Sequence, residues 1–192
     1  VIETENLRAD ARRNREKLLV AAADAFATSG VDSSLEAIAR QAGVGVGTLY
    51  RHFPTRDALI AATYRREVDQ LCSLAGDLQA TMAPDVALRT WMDGFVRYAA
   101  TKRGMGEALR EVMASNSELF SETRTKLVAS IDSLVAAGIA AGSIRDDATG
   151  LDVLNLLGAV WMVREGPDHA AQTTRILDLV TDGLRPQRPS SR

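Results

Sequence analysis

Apolar residues recur along this chain at steps of three and four, the spacing of helices that bury one face, and no stretch reads as a strand. The first such stripe, Leu18, Ala22 and Phe26, predicts a helix over 11–29 closed by Gly30, with residues 1–9 as a loose arm before it. A second begins at Ser33, where Ser33 and Glu36 have capping-box spacing; Leu35, Ile38, Ala39 and Ala42 form its buried face and Gly43 ends it. Val44 plugs the space before a third helix of about two turns, which starts near Gly45 and stops before Pro54. A helix that short is held by its neighbours, not by itself.

Longer helices follow. Thr55 caps one over 56–80 (Leu59, Ala62, Leu71, Leu74, Leu78), and Pro84 opens another over 85–103, which Gly104 and Gly106 break. A short piece over 107–114 leads to Asn116, the start of a helix marked by Leu127, Ile131, Leu134, Gly138 and Ala141. After a turn at 142–147, Thr149 and Asp152 open a segment that is apolar on nearly every side from Val153 to Val163. Pro167 starts the last helix, with Leu177, Val180 and Leu184 on one face, and 186–192 is expected to be disordered.

The two short helices and their glycine turn, Leu35 to Phe53, form a helix-turn-helix pattern. With Leu18-Leu19, Ala22-Ala23, Phe26, Gly30, Ile38-Ala39, Ala42-Gly43-Val44, Gly47-Thr48-Leu49-Tyr50, His52-Phe53 and Ala58-Leu59, the N-terminal third resembles the TetR family of bacterial transcriptional regulators. The resemblance implies an all-helical fold with a DNA-binding head over 8–56 and a ligand-binding and dimerisation body over 57–185, the helix at 56–80 being shared. It also implies a homodimer on double-stranded palindromic operator DNA and a small apolar effector; the residues themselves offer no enzymatic constellation, with only two histidines and a lone cysteine without a base near it in sequence. Carried over by position, Gly45, Val46, Gly47, Thr48, Tyr50, Arg51 and His52 face DNA, and Ser34 and Arg56 contact flanking phosphates. Gly45 departs from the family, which usually has a capping serine there.

Charge changes the picture only when divided by region. The net charge of −2 hides ten Lys/Arg against eight Asp/Glu in residues 1–66 and thirteen against seventeen in the remainder. Arg12 and Arg13 stand with Arg8, Arg15 and Lys17 at the start of the first helix, the wrong end for its dipole, and a phosphate partner resolves that conflict. Base edges are read best by bidentate Arg, Asn or Gln. Gly45, Val46 and Gly47 offer none; Thr48 and Arg51 are the only polar candidates, with Val46 able to meet a thymine methyl, and much of the specificity is expected to come from DNA shape and backbone fit.

Within the body, Trp91, Phe95 and Tyr98 fall on one helix face and are candidates for effector lining together with Met113, Phe120, Leu127 and Ile131; in most helical proteins such a stripe is simply core. Val153, Leu157, Val160, Trp161, Leu177 and Val180 are the candidate dimer interface. No metal site or cofactor is expected: Cys72 is the only cysteine and the two histidines, His52 and His169, lie far apart in sequence. The absence of a long apolar run and of an apolar leader points to a cytoplasmic protein without membrane attachment. The alternative is a helical effector-sensing or protein-interaction module with a degenerate DNA-binding head.

Overall fold

The computed structural model describes residues 2–164 and 166–186, and among them every regular element is helical. The order is α1 (Ile2–Ser29), α2 (Leu35–Gln41), α3 (Val46–His52), α4 (Arg56–Thr81), α5 (Pro84–Ser115), α6 (Ser117–Ala140), α7 (Gly150–Leu157), a 3-10 turn (Gly158–Met162) and α8 (His169–Gly183). The expected disorder beyond Pro186 falls outside the described residues. The chain forms two compact units: Val1–Glu67 with Ala100–Phe120, and Val68–Ala99 with Ser121–Arg192. The division runs through α4 and through α5.

In the first unit, α1, α2 and α3 pack on a core that includes Leu18, Phe26, Ile38, Leu49 and Leu59, all fully buried. α1 reaches back to Ile2 instead of beginning near 11, because residues 2–17 contain no glycine or proline and are rich in good helix formers. Its C-terminus turns at Gly30, whose φ of 72° places it in the left-handed region, and Gly30 N–H donates to the Phe26 carbonyl at 3.1 Å. α5 passes so close to this turn that a Cβ on Gly104 would stand 1.7 Å from the Phe26 oxygen. Gly104 is therefore a packing position inside a continuing helix and not a break; the break lies at Gly106, with φ 49° and ψ −129°.

Three helix starts match their expected caps. Thr55 Oγ1 accepts from Ala58 N–H at 3.1 Å, Asn116 Oδ1 from Leu119 N–H at 3.1 Å, and Thr149 with Asp152 makes a reciprocal capping box. Those hydrogen bonds from Thr149 hold the Asp152 carboxyl below its ordinary range. In the second unit the apolar segment after Thr149 is not one helix, since it tightens into the 3-10 turn at Gly158, and α8 begins at His169, two residues after Pro167.

Candidate nucleic-acid interface

α2 ends as its sequence requires. Gly43 takes φ 65°, its N–H donates to the Arg40 carbonyl at 3.1 Å, and Val44 N–H reaches back to the Ala39 carbonyl at 2.9 Å, a Schellman ending that leaves Val44 buried. The cap at the other end is Ser34, not Ser33: Ser34 Oγ accepts from Ala37 N–H at 3.1 Å. Ser33 instead donates its hydroxyl to the Gly30 and Ala25 carbonyls at 3.0 and 3.3 Å, which ties the loop to the end of α1. With Ala37 three residues after the cap, no carboxylate completes a capping box there.

α3 starts at Gly45, which adopts extended N-cap geometry (φ −62°, ψ 139°) without a side-chain bond, and its carbonyl accepts from Thr48 and Leu49 N–H at 2.8 and 3.1 Å. Leu49 and Phe53 are buried and fix the helix to the head. Gly45, Val46, Gly47, Tyr50 and Arg51 point outward; Val46 and Tyr50 are 43 % and 44 % exposed, and Thr48 and His52 are half-buried. Arg51 lies along its own helix, donating from Nε to the Gly47 carbonyl at 3.4 Å.

Arg56 is not free at the surface. Its Nη1 donates to the Val31 carbonyl and its Nη2 to the Ser33 carbonyl at 2.9 Å, so it clamps the α1–α2 loop that presents Ser34. Arg15, which the sequence marked only as positive charge, stacks its guanidinium 5.4 Å from the centre of the Phe53 ring at the end of α3. Arg12 is exposed, and Arg13 is exposed but ion-paired with Asp10. Behind them, Arg66 bridges Glu16 at 2.6 Å and Glu67 at 2.8 Å, joining α1 to α4; burial pushes the Glu67 carboxyl up despite the opposing pull of Arg66.

This geometry is a braced helix-turn-helix with one open helix face. The profile of the tetR family of bacterial regulatory proteins matches residues 18–63, and that of the SbtR-like transcriptional regulator C-terminal domain matches residues 83–186. The chain belongs to the TetR family. Its fold is similar to that of a TetR transcriptional regulator from Streptomyces coelicolor, with 46 % identity, a TM-score of 0.84, and 91 % of this chain and 99 % of the other covered. A TetR transcription regulatory protein from Mycobacterium vanbaalenii is 34 % identical with a TM-score of 0.76, over 93 % and 99 % of the two chains. An HTH-type transcriptional regulator of Staphylococcus aureus is 38 % identical over 64 residues, 33 % of this chain; the match spans only 35 % of that curated relative's length. TetR-family regulators are DNA-binding transcription factors, not enzymes, and act on operator DNA as dimers.

The second unit of this TetR-family chain places the other predicted residues. Trp91, Phe95 and Tyr98 are buried with ring centres 6.1 and 5.6 Å apart, and the Trp91 indole N–H donates to the Leu71 carbonyl at 2.8 Å. Leu127 and Ile131 are buried in the same unit, whereas Met113 and Phe120 belong to the first, Phe120 being 37 % exposed. The seven side chains are thus divided between units.

The predicted dimer residues lie mostly within the protomer. Val153, Leu157, Val160, Leu177 and Val180 are buried inside the single protomer, between α7, the 3-10 turn and α8, and Trp161 is half-buried. Facing outward on these elements are Leu151, Leu156, Met162 and Leu179, which the count of apolar positions did not separate from the inner set. No helix among the described residues is long and apolar enough to cross a membrane.

Proposed function

We propose that this TetR-family regulator binds a palindromic operator as a homodimer and represses transcription until a small apolar effector releases it. The observation that carries the reading is the outward face of α3, presented by a loop and helix ends that Arg56, Ser33 and Arg15 tie down. A helix already held in place needs no ordering when it enters a major groove, which favours binding. The glycine at the α3 cap costs only a few tenths of a kcal/mol relative to serine, and this argues against a degenerate head. Arg12 and Ser34 supply phosphate contacts in this proposal, the Ser34 oxygen accepting from Ala37 while its hydroxyl hydrogen remains to donate.

The direct test is fluorescence anisotropy of the full chain with the duplex upstream of its own gene, across a salt series. Binding is expected to weaken linearly on logarithmic axes; a shift that is absent or independent of salt overturns the reading. Arg56→Ala should weaken operator and random DNA together while leaving the salt slope unchanged, because its guanidinium grips carbonyls of the protein itself. A slope reduced by about one would assign it a phosphate contact instead.

For the effector, the candidate residues in the second unit are the buried Trp91, Phe95, Tyr98, Leu127 and Ile131, and α4 contributes residues to both units. Coupling between two sites is reciprocal. In a Trp161→Phe background, where Trp91 is the sole tryptophan, compounds that quench its emission are therefore expected to release operator DNA. Quenching without release separates ligand binding from regulation and overturns the effector mechanism.

A further inference from the structure

The first turn of α3 contains two choices that the protein's own folding does not explain. Val46 is β-branched, a weaker helix former than the straight-chain residues, yet it is 43 % exposed and so does not repay that preference by packing in the core. Gly47 is the second residue of the helix, where glycine is a poorer helix former than alanine. Its φ is not positive, and a Cβ built on it would find nothing within 4 Å, so neither backbone conformation nor a close neighbour demands the missing side chain. Gly45 is equally open, with only Thr48 Oγ1 at 3.9 Å. The result is a single branched aliphatic side chain standing between two bare backbone positions, at the end of the recognition helix that meets base edges.

Only one group on a DNA base edge matches an aliphatic side chain, the C5-methyl of thymine in the major groove. We infer that Val46 is the base-reading residue of each head and packs its methyl groups on a thymine methyl in each half-site, with Gly45 and Gly47 letting the helix backbone approach closely enough for that contact. The inference rests on the operator-binding reading above and adds the base and the group on it that are recognised. Arg51, the one long cation on the helix, spends its Nε on the Gly47 carbonyl, and Tyr50, one turn on from Val46, flanks the same face with a hydroxyl.

The test begins by selecting binding sequences for the full-length protein from a random duplex pool. Each thymine of the selected site is then replaced by deoxyuridine, which removes the methyl and keeps every hydrogen-bonding group. For the unaltered protein, one thymine per half-site is expected to be methyl-sensitive, with affinity falling about fourfold for one half-site and about fifteenfold for both, as burial of one methyl-sized group implies. For Val46→Ser, which replaces both methyl groups of an exposed residue with a hydroxyl, the same replacement is expected to change affinity less than twofold. Selected sites with no methyl-sensitive thymine overturn the inference while operator binding stands. So does a Val46→Ser protein as methyl-sensitive as the parent. Failure of the pool to yield any enriched sequence overturns both this inference and the operator-binding reading beneath it.

Discussion

Gly104→Ala is expected to lower the stability of the protein by about 3 kcal/mol or more, the upper end of what overpacking costs. An alanine inside a helix would ordinarily stabilise it by about 1 kcal/mol, so the sign of the outcome decides which effect wins. The added methyl would lie 1.7 Å from the Phe26 carbonyl oxygen and 2.5 Å from its carbon. Both are backbone atoms, which cannot rotate aside as a side-chain tip can. The same oxygen receives the Gly30 N–H that closes α1, and the next turn of the loop carries Ser33 and the Arg56 clamp. Displacing Phe26 therefore loosens the presentation of α2 and α3, and operator affinity should fall together with melting temperature. Gly76→Ala provides the contrast, since that helical position has nothing within 4 Å of an added Cβ. It should raise stability by about 0.5–1 kcal/mol. Urea unfolding of the two variants measures both effects, and a Gly104→Ala protein as stable as the parent would show that the α1–α5 crossing yields easily.

The helix-turn-helix was legible because each of its parts is decided locally. Gly43 ends α2 by its left-handed φ, and Leu49 and Phe53 fall on the buried side by spacing alone; outside the motif, the caps Thr55, Asn116 and Thr149 are local in the same way. What spacing could not decide depended on partners distant in sequence. Ser33 has capping-box spacing to Glu36, but the Gly30 and Ala25 carbonyls claim its hydroxyl and the cap falls to Ser34. Arg56 has the composition of a phosphate contact and becomes a loop clamp because Val31 and Ser33, some 25 and 23 residues earlier, lie within reach. Gly104 reads as a break and is in fact a crossing point, and nothing near it in sequence names Phe26. The segment from Val153 to Val163 defeats a periodicity argument for another reason: the change to a 3-10 turn at Gly158 alters the angle per residue midway.

That change of pitch leaves Leu156 and Leu179 exposed on the protomer, and if the proposed homodimer uses this face, Leu156→Glu combined with Leu179→Glu is expected to separate it into folded monomers. Leu156 and Leu179 are 52 % and 71 % exposed, Leu151 is 41 % and Met162 85 %, and all four lie on α7, the 3-10 turn or α8. Large apolar side chains left this open on the elements at the end of the chain are what a partner protomer would cover, and a charge placed there loses the contact and must be desolvated if the contact is to form. Because neither residue is in the core, the monomer should melt close to the parent's monomeric baseline. Val153→Glu and Leu177→Glu should behave differently: those positions are 0 % and 1 % exposed within one protomer, so a buried unpaired charge should unfold the second unit and not merely divide the dimer. The effect on DNA follows from linkage of two heads. A dimer binds its second half-site at high effective concentration, and loss of that linkage typically costs about 10²–10⁴ in affinity. Light scattering, circular dichroism and anisotropy on the selected duplex distinguish the cases. A Leu156→Glu, Leu179→Glu protein that remains dimeric with unaltered operator affinity would place the interface elsewhere on the chain.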